Sequence, residues 1–391
     1  MFDALIRFIR AQYGTNEFIS LHAPIFAGNE RGYVLQTIDS TFVSSVGPFV
    51  DRFEREVAAY TGSPRAVATV NGTAALHAAL LLAGVRPGDL VLTQAFTFVA
   101  TCNAIAYCGA EPVFLDVDRE TLGLSPVALS SWLEEHARLS DDGVCRTRQD
   151  GRPLRVCLPM HTFGHPVDID GLLAVCARWR LTVVEDAAES LGSFYKGRHT
   201  GTFGQLGILS FNGNKIVTTG GGGMILADEV LGQRAKHLTT TAKRPHAYMF
   251  FHDEVGFNYR LPNLNAALGC AQLEQLEGFV AKKRALAAGY AEFFANGPLR
   301  FISEPAGCRA NYWLNAVLCE SEAERDALLQ ATNAQGIMTR PVWRLMSELP
   351  AFLHCRRDGL HNSRFLEARV VNLPSSVPGQ RVGAERGEEE S

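Results

Sequence analysis

The stretch Leu181–Met224, LTVVEDAAESLGSFYKGRHTGTFGQLGILSFNGNKIVTTGGGGM, constrains this chain more than any other. It opens as an apolar strand, Leu181–Val184, with two acids where that strand should end. It closes on a second strand, Gly207–Phe211, followed by Lys215 in a polar turn and then four consecutive glycines. In open α/β sheets, ligands collect at the carboxyl ends of strands, and Asp186 and Lys215 both fall there. Each feature alone has a plain explanation. A lysine in an Asn-Gly-Asn turn suits the solvated surface, an Asp just past a strand suits a helix cap, and glycines suit a flexible loop. In this order, a carboxylate and a lysine at neighbouring strand ends suit the two sides of a pyridoxal phosphate ring. The carboxylate would pair with the protonated pyridine nitrogen and the lysine would bond to the aldehyde.

The rest of the chain supplies a sheet for those strand ends. Arg65–Val70 reads as a short buried strand, and Asn71-Gly72-Thr73 opens a helix running to about Ala83. A strand, a small turn and a helix place free N–H groups and the helix dipole where a phosphate can bind, with Gly72 for close approach and Thr73 for a hydroxyl. The alternative is an ordinary strand-to-helix connection capped by Thr73. Two further β-α-β units follow: strand Leu90–Thr93, helix Phe98–Tyr107 and strand Pro112–Leu115. Strand Arg155–Pro159 and a helix over Gly171–Arg180 then lead into Leu181. Phe96 and Phe98 lie just past a strand end, where an aromatic suits either the core or the face of a planar cofactor. Alternating strands and helices predict a mostly parallel sheet covered on both faces. No GxGxxG follows a strand, so a dinucleotide site is not expected.

Polar residues 140–153 read as a surface loop, and Thr239–Pro262 as an irregular segment of the length that functional or interfacial loops have. Asn263 to about Ala295 reads as one long helix. Tyr312–Cys319, Glu322–Gln335 and Gly336–Val342 read as strand, helix and strand of a small α+β domain. The domains expected are an N-terminal amphipathic helix (1–20), a large domain (21–262), a linking helix with a small C-terminal domain (263–374), and a disordered tail (375–391).

Composition excludes several classes. The formal charge of −4 offers no basic field for nucleic acid or anionic lipid. Nine scattered cysteines without a CxxC pair read as reduced thiols of a cytoplasmic protein. There is no HExxH, and no metal site is assigned. Phe2, Leu5, Ile6 and Ile9 share a helical face interrupted by Arg7 and Arg10, so no membrane span is expected.

Taken together, NGTAAL (71–76), TFVATCNAI (97–105), VEDAAESLG (184–192), GTFG (201–204), LSFNGNK (209–215), the glycines at 220–223 and GFNYRLPNLNAALG (256–269) resemble the DegT–StrS family of sugar-nucleotide aminotransferases. The resemblance covers roughly residues 20–345. It implies a fold-type I pyridoxal-phosphate enzyme, with a large domain built on a mostly parallel sheet of the seven-stranded type plus a small C-terminal domain. It also implies Lys215 as the Schiff-base lysine, Asp186 as the pyridine partner and Phe98 as the aromatic over the ring. Gly72, Thr73 and Ser210 match the phosphate-binding positions. Asn258 and Arg260 match residues reaching the phosphate from the second subunit of a homodimer with shared sites. Glu189 falls near the cofactor's phenolic oxygen, where a carboxylate needs a shared proton.

Within the family, LHAPIFAGNE (21–30), STFVSSVGPFVDRFE (40–54), NYWLNAVL (311–318) and MTRPVW (338–343) are most similar to relatives that aminate C-4 of UDP-2-acetamido-2,6-dideoxy-4-ketohexoses with L-glutamate as donor. GDP- or dTDP-linked keto sugars are the alternative. His165, Arg340 and Trp343 are the substrate-side candidates. Three rivals stand beside this reading: a dehydratase branch, which replaces the lysine by histidine; a fold-type I lyase or decarboxylase; and a non-catalytic protein keeping the fold.

Overall fold

The computed structural model describes residues 2–378, and residues 379–391 of the expected tail lie outside the described residues. Seven strands form the central sheet: β1 (Arg65–Thr69), β2 (Leu90–Gln94), β3 (Glu111–Leu115), β4 (Pro153–Leu158), β5 (Thr182–Asp186), β6 (Leu206–Ser210) and β7 (Gly223–Ala227). Their spatial order is β1-β7-β6-β5-β4-β2-β3. The pairs from β6 through β3 are parallel, and β7 runs antiparallel to both β6 and β1. The strands are short and almost wholly buried, as expected for a sheet with helices on both faces.

β5 and β6 set the site. Side chains alternate along a strand, so Glu185 and Asp186 point to opposite faces. Glu185 is fully buried, and the GTFG turn wraps it: the N–H groups of Gly201, Phe203 and Gly204 donate to its two oxygens at 2.8, 2.6 and 2.7 Å. His161 completes the set. Val167 N–H donates to its Nδ1, which leaves Nε2 to donate to Glu185 at 2.9 Å. Burial works against the charged carboxylate, yet His161 and the backbone donors outweigh it and hold Glu185 below its ordinary value.

The C-terminal part carries a four-stranded antiparallel sheet, Arg300–Phe301, Asn315–Leu318, Val370–Leu373 and Arg340–Pro341 in that spatial order, backed by the helix Glu322–Ala334. The N-terminal helix Phe2–Tyr13 docks on this part of its own chain. Leu5 and Ile9 are buried there, and Phe8 packs on Tyr290 and Phe293. Ser375 and Val377 are also buried: Ser375 Oγ accepts from Asn315 N–H, and Ser375 N–H donates to Leu21.

Three segments differ from the sequence reading. The expected long helix is two, Asn263–Leu273 and Leu276–Phe294, broken at Glu274–Gln275. There the Glu274 carboxylate is drawn to Arg52, Tyr33 and Asn29. Residues 140–153 are not merely a loop. Ala137–Leu139 and Cys145–Thr147 form a hairpin that extends the sheet beside β4, closed by Gly143 at φ +77° and by Asp142 accepting from Val144 N–H. Gly336–Val342 is strand only at Arg340–Pro341. All nine cysteines are free thiols, and among the described residues no helix is long and apolar enough to cross a membrane.

Removing the Glu185 carboxylate leaves buried His161 and the N–H groups of Gly201, Phe203 and Gly204 without this acceptor. Glu185→Ala is expected to destabilise the fold by about 3–5 kcal/mol, read as a lower urea midpoint with an unchanged transition slope.

Candidate active site

A cavity of about 320 Å³ opens at the carboxyl ends of β1, β5 and β6, within the range of small-molecule sites. Of the residues singled out from sequence, Gly72, Thr73, Phe98, Asp186, Glu189, Ser210, Lys215 and Trp343 line it. His165, Arg340, Asn258 and Arg260 do not. His165 is fully buried, packs edge-on to Tyr312 at 5.3 Å and, among the described residues, has no hydrogen-bond partner for either ring nitrogen. Desolvation pushes its imidazole down to about 4, so it is a neutral core residue. Arg340 is exposed on the edge of the small sheet, beside Asn333. Asn258 and Arg260 bond to each other at 3.0 Å on the strip that runs alongside the end of β1.

One end of the cavity is an N-terminus. The helix Gly72–Leu82 starts there, capped by Asn71, whose Oδ1 accepts from Ala74 N–H at 2.8 Å. A Cβ on Gly72 would lie 3.0 Å from Ser210 Cβ, so a larger residue there would press on the end of β6. Thr73 and Ser210 add hydroxyls beside the free N–H groups, which is the arrangement of an anion cradle.

At the base, Asp186 is the last residue of β5. Thr101 Oγ1 donates to its Oδ2 at 2.7 Å, and Ala188 N–H to its Oδ1 at 3.2 Å. Desolvation raises its carboxyl despite those bonds and the nearby charge of Lys215. A positive partner in the cavity would favour its ionised form. Lys215, in the turn after β6, places Nζ 3.3 Å from Glu189 Oε1, and Phe163 N–H donates to Glu189 Oε2 at 2.9 Å. Phe98 is half-exposed at the rim, 6.1 Å from Trp343 between ring centres.

These residues fit pyridoxal 5′-phosphate. A buried carboxylate faces one end, an anion cradle stands at another, and a lysine amine lies inside the same cavity. Periodicity alone did not single out Trp313, Asn311 or Asn214. Trp313 and Asn214 line the cavity, and Asn311 donates to the carbonyls of Glu189 and Leu191, each at 2.9 Å. Asn311 and Trp313 sit in the NYWLNAVL stretch, which reads as a strand of the small domain, and no local spacing ties it to residue 215.

The sheet order, the strand-end lysine and the buried acid fit a pyridoxal-phosphate-dependent enzyme of fold type I. The sequence profile of the DegT/DnrJ/EryC1/StrS aminotransferase family matches residues 24–380, and the chain belongs to that family. It is 38% identical to EpsN of Bacillus subtilis (strain 168) over 85% of this chain and 84% of that protein. It is 36% identical to the GDP-perosamine synthase of Caulobacter vibrioides over 91% and 93%. The aminotransferase TlmJ from Streptoalloteichus hindustanus superposes with a TM-score of 0.82 at 26% identity, covering 92% of this chain and 93% of that one.

Desolvation pushes the Glu189 carboxyl up to about 7, outweighing the attraction of Lys215 and the Phe163 hydrogen bond. A folded-state value above the ordinary 4.5 means that the native chain holds this proton more tightly than the unfolded one. Its contribution is therefore complete below the ordinary carboxyl range and is lost as pH rises towards 7. The cofactor-free protein is expected to lose up to about 3 kcal/mol over that interval. Urea midpoints measured across it should be flatter for Glu189→Gln.

Proposed function

We propose that this chain transfers the amino group of L-glutamate to C-4 of a nucleotide-linked 4-keto-6-deoxy sugar, a UDP-2-acetamido-2,6-dideoxy-4-ketohexose, for surface-glycan or nonulosonic acid synthesis. The observation that carries the reading is the Lys215 amine inside the same cavity as the buried Asp186 carboxylate. The choice of sugar rests on the patterns at 21–30, 40–54, 311–318 and 338–343. A GDP-linked 4-keto sugar is the second reading, favoured by the GDP-perosamine synthases of Caulobacter vibrioides and Escherichia coli O157:H7, at 36% and 34% identity.

When bound, pyridoxal phosphate supplies the electron sink that lets the Cα–H bond of an amino acid ionise. The protein's part is positioning and proton handling. Asp186, ionised opposite a positive partner, keeps the proton on the pyridine nitrogen. Gly72, Thr73 and Ser210 would hold the phosphate at the helix N-terminus. Lys215, once its amine is free, would move a proton from substrate Cα to the cofactor's C4′ in the first half-reaction and from C4′ to the acceptor carbon in the second. Glu189 stands beside that amine and exchanges a proton with it. Phe98, Trp313, Trp343 and Met160 give the cavity apolar walls that exclude water.

The working unit is a homodimer with shared sites. Among the described residues lining the cavity, the charged ones are Asp186, Glu189 and Lys215, so the phosphate end has no cation from its own chain. Arg260 with Asn258, outside their own cavity, would supply it from a second copy. The same segment carries Tyr248, Phe250 and Val255, each at least 80% exposed, an apolar surface suited to an interface between copies.

Labelled L-glutamate incubated with each keto sugar nucleotide should put label on the UDP sugar, detected by mass spectrometry. Label on the GDP sugar alone selects the second reading, and label on neither discards both acceptors. Lys215→Ala is expected to abolish transfer, and Asp186→Ala to lower its rate by about 100-fold or more; full activity in either contradicts the assignment. Lys215→Ala and Arg260→Ala proteins, inactive apart, are expected to regain part of the wild-type rate when mixed and reassembled, since one hybrid site is intact. No recovery argues against sharing.

A further inference from the structure

Lys215 has a second close neighbour. Its Nζ lies 3.8 Å from the centre of the Trp313 ring, so the amine that meets the Glu189 carboxylate also rests on an indole face. Trp313 is only 5% exposed and is fixed at three points. Its Nε1–H donates to the carbonyl of Asn214, the residue before the lysine, at 2.7 Å. Its N–H donates to Asn311 Oδ1 at 2.7 Å, and its carbonyl accepts from Lys283 at 3.2 Å. Asn311 also donates to the Glu189 carbonyl, so one amide braces both neighbours of the amine.

The backbone is bent to deliver this ring. Tyr312, just before it, has φ +48°, a conformation a side-chain-bearing residue holds only where its surroundings enforce it. The Tyr312 hydroxyl accepts from Glu304 N–H, and its ring packs on Phe301 and His165.

We propose that Trp313 is a positioning residue for Lys215: its ring face and the Glu189 carboxylate together seat the free amine, favour its protonated state and so regulate how readily it takes and releases the substrate proton. This rests on the reading of Lys215 as the amine of the proton transfers, and extends it to the small sheet. A cation on an indole face is favoured by an amount equal to roughly twofold to thirtyfold in the protonation equilibrium. The other titratable groups around the amine are Asp186 from β5, His22 from the N-terminal segment and Lys283 behind Trp313. Lys283 is fully buried on two backbone carbonyls, those of Trp313 and Ser375, and burial pushes it down to about 7. Lys283 can thus shed its charge, whereas the Trp313 face is permanent.

The test is trace acetylation of the full-length, cofactor-free protein with acetic anhydride. The rate at Lys215 near neutral pH, relative to its high-pH plateau, is read by peptide mass mapping. Trp313→Leu is expected to raise that ratio roughly twofold to thirtyfold, because more of the amine is neutral, while Trp313→Phe, which keeps a π face, moves it much less. Should Trp313→Leu not fold, replacing the four tryptophans by trifluorotryptophan weakens the ring face at constant shape, and only Trp313 stacks on Lys215 among the described residues. The ratio is expected to rise there too. An unchanged or lower ratio with either Trp313→Leu or the fluorinated protein overturns the proposal. Because no cofactor or sugar takes part, this outcome is separate from that of the transfer assay, which tests the aminotransferase reading itself.

Discussion

The end of β5 is where fold and chemistry meet, and the arrangement depends on one buried carboxylate being satisfied so that the next can be left free. Two adjacent acids on a buried strand project to opposite faces. Glu185 is saturated by His161 and three backbone donors of the GTFG turn. That turn leads directly into β6, so the carboxylate anchors the start of the strand whose far end presents Ser210 and then Lys215. Asp186 has two donors among the described residues and faces the cavity. An unpaired buried carboxylate is costly, and under the proposed function a protonated pyridine would relieve that cost.

The second layer of control comes from the far side of the chain. Asn311 and Trp313 belong to the approach to the small sheet, more than ninety residues from Lys215 in sequence. They nevertheless fix the lysine turn and the Glu189 backbone. The N-terminal segment closes the same region, with Leu21 bonded to Ser375 and Lys283 reaching the Ser375 carbonyl. The amine is thereby surrounded by elements from three parts of the chain, which is what a group that must move a proton between fixed points needs.

Much of this was legible in sequence because it is local. Strand, turn and helix signals located β1, β2, β3 and the N-terminus at Gly72, and the order of Asp186 and Lys215 placed both at strand ends, whereas Ser210 entered only through the family resemblance. What was not legible is non-local. The break falls at Glu274–Gln275, where Glu274 meets Arg52 and Tyr33 from more than two hundred residues away. The 137–147 hairpin looked like a loop because its strands have three residues each and are polar on one side. His165 was a substrate-side candidate only through the family resemblance, and its ring turns into the core against Tyr312. Trp313 looked like part of a strand, and only the bend at Tyr312 turns it towards the lysine.

The most direct test of the central claim, that Asp186 and Lys215 share one pyridoxal phosphate, is the visible absorption spectrum of the purified protein loaded with the cofactor. The spectrum would be followed on adding L-glutamate and then the UDP-linked keto sugar. The expected result is a cofactor band that bleaches with glutamate and returns with the sugar. Failure to form any cofactor band after loading with pyridoxal phosphate would contradict the site as described.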